Sequence, residues 1–188
     1  HEANRRALTF DRQDQDLKKI VRSIFAENRE VGTGTIFNSD PRDMEQSFNL
    51  KANFEVASHL ELPGPSAFLI PVGLSPGILA QWTIYRPTEG RTKFFTCEPE
   101  RIEESIRLDL GTTIRITKAP ANVRYHSGPV HYESEVTLID SPSGQVLQVK
   151  RALEINPKSH ICPPDSQTNF QELFRVMRKD LRQPVFYT

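Results

Sequence analysis

The chain has 188 residues, 24 basic and 24 acidic side chains and no net charge. That length can bury a core without covalent staples, and the balanced charge argues against a dedicated nucleic-acid or anionic-membrane surface, which needs a basic excess. No run of about 18 apolar residues is present, so no membrane insertion is expected, and His1–Arg6 carries no apolar signal core.

The first periodic element is a helix. Leu17, Ile20, Val21, Ile24 and Phe25 recur at i, i+3, i+4, i+7 and i+8, which places them on one helical face. Asp14 or Asp16 can accept from the free N–H groups at its start. Val31–Phe37 reads as a short strand, and Ser39-Asp40-Pro41 as a turn or a one-turn helix. Phe54, Val56, Leu60 and Leu62 alternate with polar or small residues, predicting a strand with one dry face over Phe54–Leu62. Pro63-Gly64-Pro65 ends it, and Ala67–Val72 is a short apolar run. Gln81–Tyr85 is expected as a strand before the Pro87–Gly90 turn. In Phe94-Phe95 the two rings cannot share one strand face.

Ser105–Leu110 alternates through Ile106 and Leu108, Ile114 and Ile116 continue the pattern after Gly111, and Val123–Tyr125 resumes it after Pro120. Val130, Tyr132, Ser134, Val136 and Leu138 define one face of a hairpin strand, which turns at Ser141–Gly144. The returning strand, Gln145–Ile155, has Leu147, Val149, Leu153 and Ile155 on one face, with Arg151 as the exception. An arginine there is expected near an edge, its stem packed and its head wet. A closing helix over about Thr168–Leu181 carries Phe170, Leu173, Phe174, Met177 and Leu181 on one side, and Thr168-Asn169-Phe170-Gln171 matches a capping box. Pro184 stops it, and Val185–Tyr187 can form a last strand. Fourteen prolines fall mostly between these segments. The expected fold is mainly β: a single β-sandwich domain over residues 1–188, jelly-roll-like or Ig-like, with two amphipathic helices, one near each terminus. The absence of an initiator Met suggests a piece of a longer protein.

Reactive signatures are sparse. Cys97 and Cys162 could form one disulfide but are too few to define a framework, and two packed, unpaired thiols are the simpler expectation. A Cys97 nucleophile would need His126 or His131 as its base, and the adjacent Glu98 disfavours a thiolate. His126 and His131 lie five apart around Gly128-Pro129 and are expected on opposite strand faces, while His59 and His160 are distant. No zinc-type spacing occurs, so no metal and no cofactor are expected. Gly32-Thr33-Gly34-Thr35 lacks the Lys-Ser/Thr and following helix of a phosphate loop and reads as strand. Glu103 and Glu104 read as a solvated rim. Trp82, Tyr85, Tyr125 and Tyr132 are the candidates for a ligand-stacking platform, although packing roles suit them better.

The chain from Val123 to Tyr187 resembles the C-terminal region of bacterial multidomain transglutaminase-like proteins, which join a β module to a papain-like core. The resemblance rests on Tyr132-Glu133-Ser134-Glu135-Val136, on Gly144 with Lys150-Arg151-Ala152-Leu153-Glu154-Ile155, and on Pro163-Pro164, Phe170 to Phe174 and Arg182-Gln183-Pro184-Val185. Asn4-Arg5-Arg6-Ala7-Leu8 is similar to the segment that follows the catalytic core. The resemblance implies that the catalytic Cys, His and Asp lie upstream, and no position here matches their motifs. It thus implies a non-catalytic accessory domain, periplasmic or secreted, whose first partner is a papain-like domain of the same protein. The alternative is a carbohydrate- or ligand-binding β-sandwich module, with a glycan or another protein as partner.

Overall fold

The computed structural model describes residues 31–40, 43, 45–46, 49–56, 60, 62, 64–70, 78–84 and 90–188. The helix expected around Leu17–Phe25 lies outside them, as do His59 and Tyr85. Tertiary contacts divide the chain into two compact units, His1–Glu61 and Leu62–Thr188.

In the first unit, β1 (Gly32–Asn38) pairs antiparallel with β2 (Leu50–Val56). The glycine-rich run is therefore strand, as its sequence context predicts. Gly34 sits opposite Phe54, and a Cβ there would lie 2.4 Å from the Phe54 ring, so the strand needs glycine at that crossing. β2 starts before Phe54, because Lys51 and Asn53 satisfy the alternation as well as the later residues do.

The second unit is built on a four-stranded antiparallel sheet in the order β5-β9-β8-β7. Its strands are β5 (Glu100–Asp109), β7 (Val123–Ser127), β8 (Val130–Ser141) and β9 (Gly144–Ile155). β8 and β9 form the predicted hairpin, closed at Ser141 opposite Gly144. Two-residue periodicity puts Arg101, Glu103, Arg107, Arg124, Glu135, Lys150 and Glu154 on one face, open to water. The other face is apolar, the usual division for an antiparallel sheet covered on one side.

Two different elements cover that apolar face. At the β7–β8 turn end, α2 (Gln167–Asp180) lays Phe170, Leu173, Phe174 and Met177 against Val130, Tyr132, Leu153 and Ile155. At the far end, Leu147 and Val149 pack with Ile70, Ile116 and Val185. The latter belong to, or flank, a three-stranded sheet in the order β3-β11-β6, formed by β3 (Ser66–Leu69), β6 (Ile116–Lys118) and β11 (Pro184–Tyr187). The chain's last strand is thus the centre of its own sheet. Reciprocal backbone bonds between Arg115 and Thr188, both 2.9 Å, extend that pairing beyond the irregularity at Phe186/Tyr187.

Several expectations are corrected. Of the strand expected over Gln81–Tyr85, the described residues Gln81–Ile84 lie in a helix, α1 (Ile78–Ile84). At three-residue spacing Leu79 and Trp82 both reach the α2 core, and this tertiary contact overrides the β preference of Trp, Thr and Ile. The Arg178 guanidinium donates to the Thr83 carbonyl at 2.8 Å, satisfying one of the free C-terminal carbonyls of α1. The capping box does not form. Thr168 lies inside α2, whose N-cap is Ser166 without a side-chain cap bond. A 3-10 turn over Pro164–Ser166 winds the backbone first, with Ser166 N–H donating to Pro163 O at 3.1 Å. The two thiols are not free: Cys97 and Cys162 are disulfide-bonded, with Cα atoms 5.8 Å apart. The bridge ties β4 (Phe95–Thr96) to β10 (Ile161–Cys162), a small paired ladder beside the α2 core. Of the two adjacent rings, Phe95 packs edge-on to Phe170, and Phe94 is exposed.

Candidate functional site

Between the two apolar clusters runs a buried polar seam. Register places Glu104 of β5, Arg151 of β9 and Ser134 of β8 side by side across the sheet. Asp180, the last residue of α2, closes over them. A helix C-terminus disfavours a carboxylate because of the partial negative charge of its carbonyls. Asp180 is held there by what it faces. Tyr132 Oη donates to Asp180 Oδ2 at 2.7 Å, and Arg151 Nε donates to the same oxygen at 3.1 Å. Gln183 Nε2 reaches Asp180 Oδ1 at 3.3 Å. The other end of the guanidinium donates to Glu104 Oε2 at 2.8 Å.

Tyr132, Asp180 and Arg151 are 0%, 2% and 4% exposed. Arg151 therefore does not sit at an edge with a wet head. β9 is an inner strand, and the guanidinium spans two carboxylates. Glu104 is not a solvated rim residue either, its side chain being 16% exposed, whereas Glu103, its neighbour in sequence, faces water. Burial alone would lower the Arg151 pKa; the bond to Glu104 and the charge of Asp180 outweigh it, and the pKa rises. Burial, followed by the Asp180 charge and hydrogen bond, pushes the Tyr132 phenol far above its ordinary value. The seam thus sets one guanidinium between two carboxylates, each charge within hydrogen-bonding distance of an opposite one as burial requires. Ser134 Oγ, beside Arg151, is the buried side-chain polar atom left without a hydrogen-bond partner among the described residues.

Three of the four candidate aromatics are described, and they belong to or pack against the α2 core. Tyr132 is core. Its cross-strand partner Tyr125 is half-buried and donates from Oη to Asn169 O at 3.3 Å. Trp82 stacks on Phe174, with ring centroids 6.1 Å apart. Tyr85 lies outside the described residues.

The histidines are placed differently from the expectation. His126 and His131 do not fall on opposite faces. The chain reverses at Gly128-Pro129, where Gly128 takes a φ of +54°, and Ser127 pairs with Val130. His126 then pairs directly with His131 across β7 and β8, on the open face. Their rings meet edge to face with centroids 5.6 Å apart. Reversal converts an odd spacing along the chain into a cross-strand pair. Both rings lie on the face of the sheet opposite the buried seam. His160 is exposed, 3.5 Å from Glu98.

Sequence reading misses Asp180 altogether and misplaces Glu104 at a solvated rim. One signal was present: Asp180 follows Met177 by three residues and so falls on the apolar stripe of α2, as Arg151 falls on the apolar face of β9. Two opposite charges on buried faces call for each other.

Among the described residues no group of three or more His, Cys, Asp and Glu is arranged to hold a metal ion, and no helix is long and apolar enough to cross a membrane. No family model matches the chain, and no curated protein and no solved structure matches it either.

Proposed function

We propose that the chain is a non-catalytic accessory or interaction domain of β-sandwich form, attached to a transglutaminase-like cysteine-dependent protein and resident in an oxidising compartment, periplasmic or extracellular. The observation that carries this reading is the Cys97–Cys162 disulfide. Acyl transfer of the transglutaminase type begins with a thiolate, and the bridge holds both cysteine sulfur atoms as structural links. Disulfides persist where the surroundings are oxidising. The seam supports the same reading, since its phenol, guanidinium and carboxylates are engaged with one another. The shared core of the four- and three-stranded sheets supports the sandwich form.

The test is an assay of the purified chain for amine incorporation into a glutamine peptide and for hydrolysis of the same amide, before and after reduction. No turnover is expected in either state. Turnover that Cys97→Ser or Cys162→Ser abolishes would overturn the accessory reading. The attachment is tested separately by the coding sequence upstream of His1: a papain-like core is expected there, and an unrelated domain would sink that part.

A further inference from the structure

We propose that His126 and His131 form a two-imidazole site for a divalent transition-metal ion, zinc or copper, on the open face of the four-stranded sheet. Three observations carry it. The residues are direct cross-strand partners, one step in from the Gly128-Pro129 turn, so their Cβ atoms stand about 5 Å apart and point the same way. Both side chains are exposed, and β7 is the edge strand, so solvent and ions reach them. The ring centroids are 5.6 Å apart. A metal bound at about 2.0–2.1 Å from one nitrogen of each ring, with a tetrahedral angle between them, sets the centroids a little over 5 Å apart. Side-chain torsions alone can close the remaining difference.

The surroundings suit a dication with two protein ligands. Glu133, two residues from His131 on the same face, accepts from Arg124 at 2.6 Å. Glu154 lies opposite His131 on β9, in the row where a carboxylate can accept the second N–H of a metal-bound imidazole, the usual outer partner of such a ligand. Imidazole favours zinc, copper and nickel over the hard cations, and copper binds tightest of these. The remaining coordination positions face solvent, which makes this a binding site open to further ligands. The two strands it joins are the edge strand and its neighbour, so occupancy would also pin the exposed edge.

The experiment titrates the chelator-stripped full chain with zinc chloride and, separately, copper(II) chloride. Nitrogen-15 NMR of the imidazoles is the readout. With zinc, both the His126 and His131 resonances are expected to shift together and to saturate at the same equivalence; with paramagnetic copper(II), both are expected to broaden away together. His126→Gln and His131→Gln should each weaken zinc binding at this site by at least about tenfold, the scale on which even outer-shell partners matter. The double variant should lose little more than either single one, because a chelate needs both rings. His160→Gln should bind as the wild type does. Both rings are exposed, and far-UV circular dichroism checks that the variants keep their fold. Movement of one resonance alone would overturn the proposal. So would single-variant losses that simply add, which is the behaviour of two independent surface imidazoles.

Discussion

Tyr132 Oη donates to Asp180 Oδ2 at 2.7 Å, joining the beginning of β8 to the final residue of α2. The same oxygen accepts from Arg151, so one carboxylate fastens the closing helix to two inner strands of the sheet. Removing Asp180 leaves the guanidinium buried with a single partner and the phenol with none. Asp180→Ala is expected to cost about 3–5 kcal/mol, the range for breaking one side of a buried pair. The paired replacement Arg151→Met with Asp180→Leu should cost much less than the sum of the two single changes. Urea denaturation of the four proteins checks the cycle, and additive losses would show that the two side chains do not act as a unit.

The raised pKa of Tyr132 makes a second, alkaline prediction. Its phenol is held in the neutral form when folded, and its folded pKa lies above the ordinary value near 10. A group raised on folding contributes stability that is complete below the unfolded pKa and is lost as pH climbs through the folded one. Stability should therefore begin to fall above about pH 10. In the native protein the tyrosinate absorbance should reach less than the full count of four tyrosines, and urea should release the remainder. Tyr132→Phe should reduce that native shortfall by one equivalent. If the shortfall is unchanged in the variant, the phenol is not where its burial places it.

The Cys97–Cys162 bridge closes a long loop, with 65 residues of sequence separation. Chain-entropy arithmetic for a loop of that length gives a stabilisation of about 4 kcal/mol. Cys97→Ala/Cys162→Ala is expected to lower the unfolding free energy by that order, and reduction of the wild type should have the same effect. Both cysteines are buried, so reduction should be slow until denaturant opens the fold. A double variant as stable as the oxidised protein would show that the link constrains nothing.

Gly144 and Gly111 separate backbone strain from steric conflict. Both have positive φ, +119° and +63°. A Cβ on Gly144 would stand 1.7 Å from the Gly111 carbonyl oxygen, whereas one on Gly111 would meet nothing within 4 Å. Gly111→Ala should thus cost about 1–2 kcal/mol, the left-handed penalty alone. Gly144→Ala should cost about 3 kcal/mol or more, because the hairpin end and the 110–116 loop must also move apart. Thermal melts of the two variants give the comparison, and equal losses would contradict it.

The parts of the fold that sequence made legible are those where neighbours along the chain decide the outcome. Leu147, Val149, Leu153 and Ile155 alternate because β9 has one dry face, and Phe170, Leu173, Phe174 and Met177 recur because α2 has one. The parts it concealed depend on contacts between distant segments. Trp82 lies in a helix because Phe174, far along the chain, offers it a ring. Arg151 is buried because Asp180 and Glu104 reach it from α2 and β5. The spacing of His126 and His131 suggested opposite faces, and only the reversal at Gly128 makes them partners. Residues out of phase with their element, Arg151 and Asp180 above all, were the places to look for long-range structure.

Trp82 and Glu100 supply a last, optical prediction. Burial raises the Glu100 pKa above the ordinary carboxyl range, and the neighbouring Trp82 indole opposes that shift only in part. A carboxyl raised on folding favours the folded state most when protonated, below its unfolded pKa, and that contribution is lost as pH rises through the folded value. Trp82 is the chain's single tryptophan, so its emission reports this group without interference from another indole. Fluorescence should show a reversible step above the pH at which exposed glutamates titrate. Glu100→Gln, which keeps an amide oxygen for the indole N–H, should remove the step and leave stability at pH 7 unchanged or slightly higher. If the step survives in the variant, another group near α1 is titrating, and the pairing of Trp82 with Glu100 is not what the emission senses.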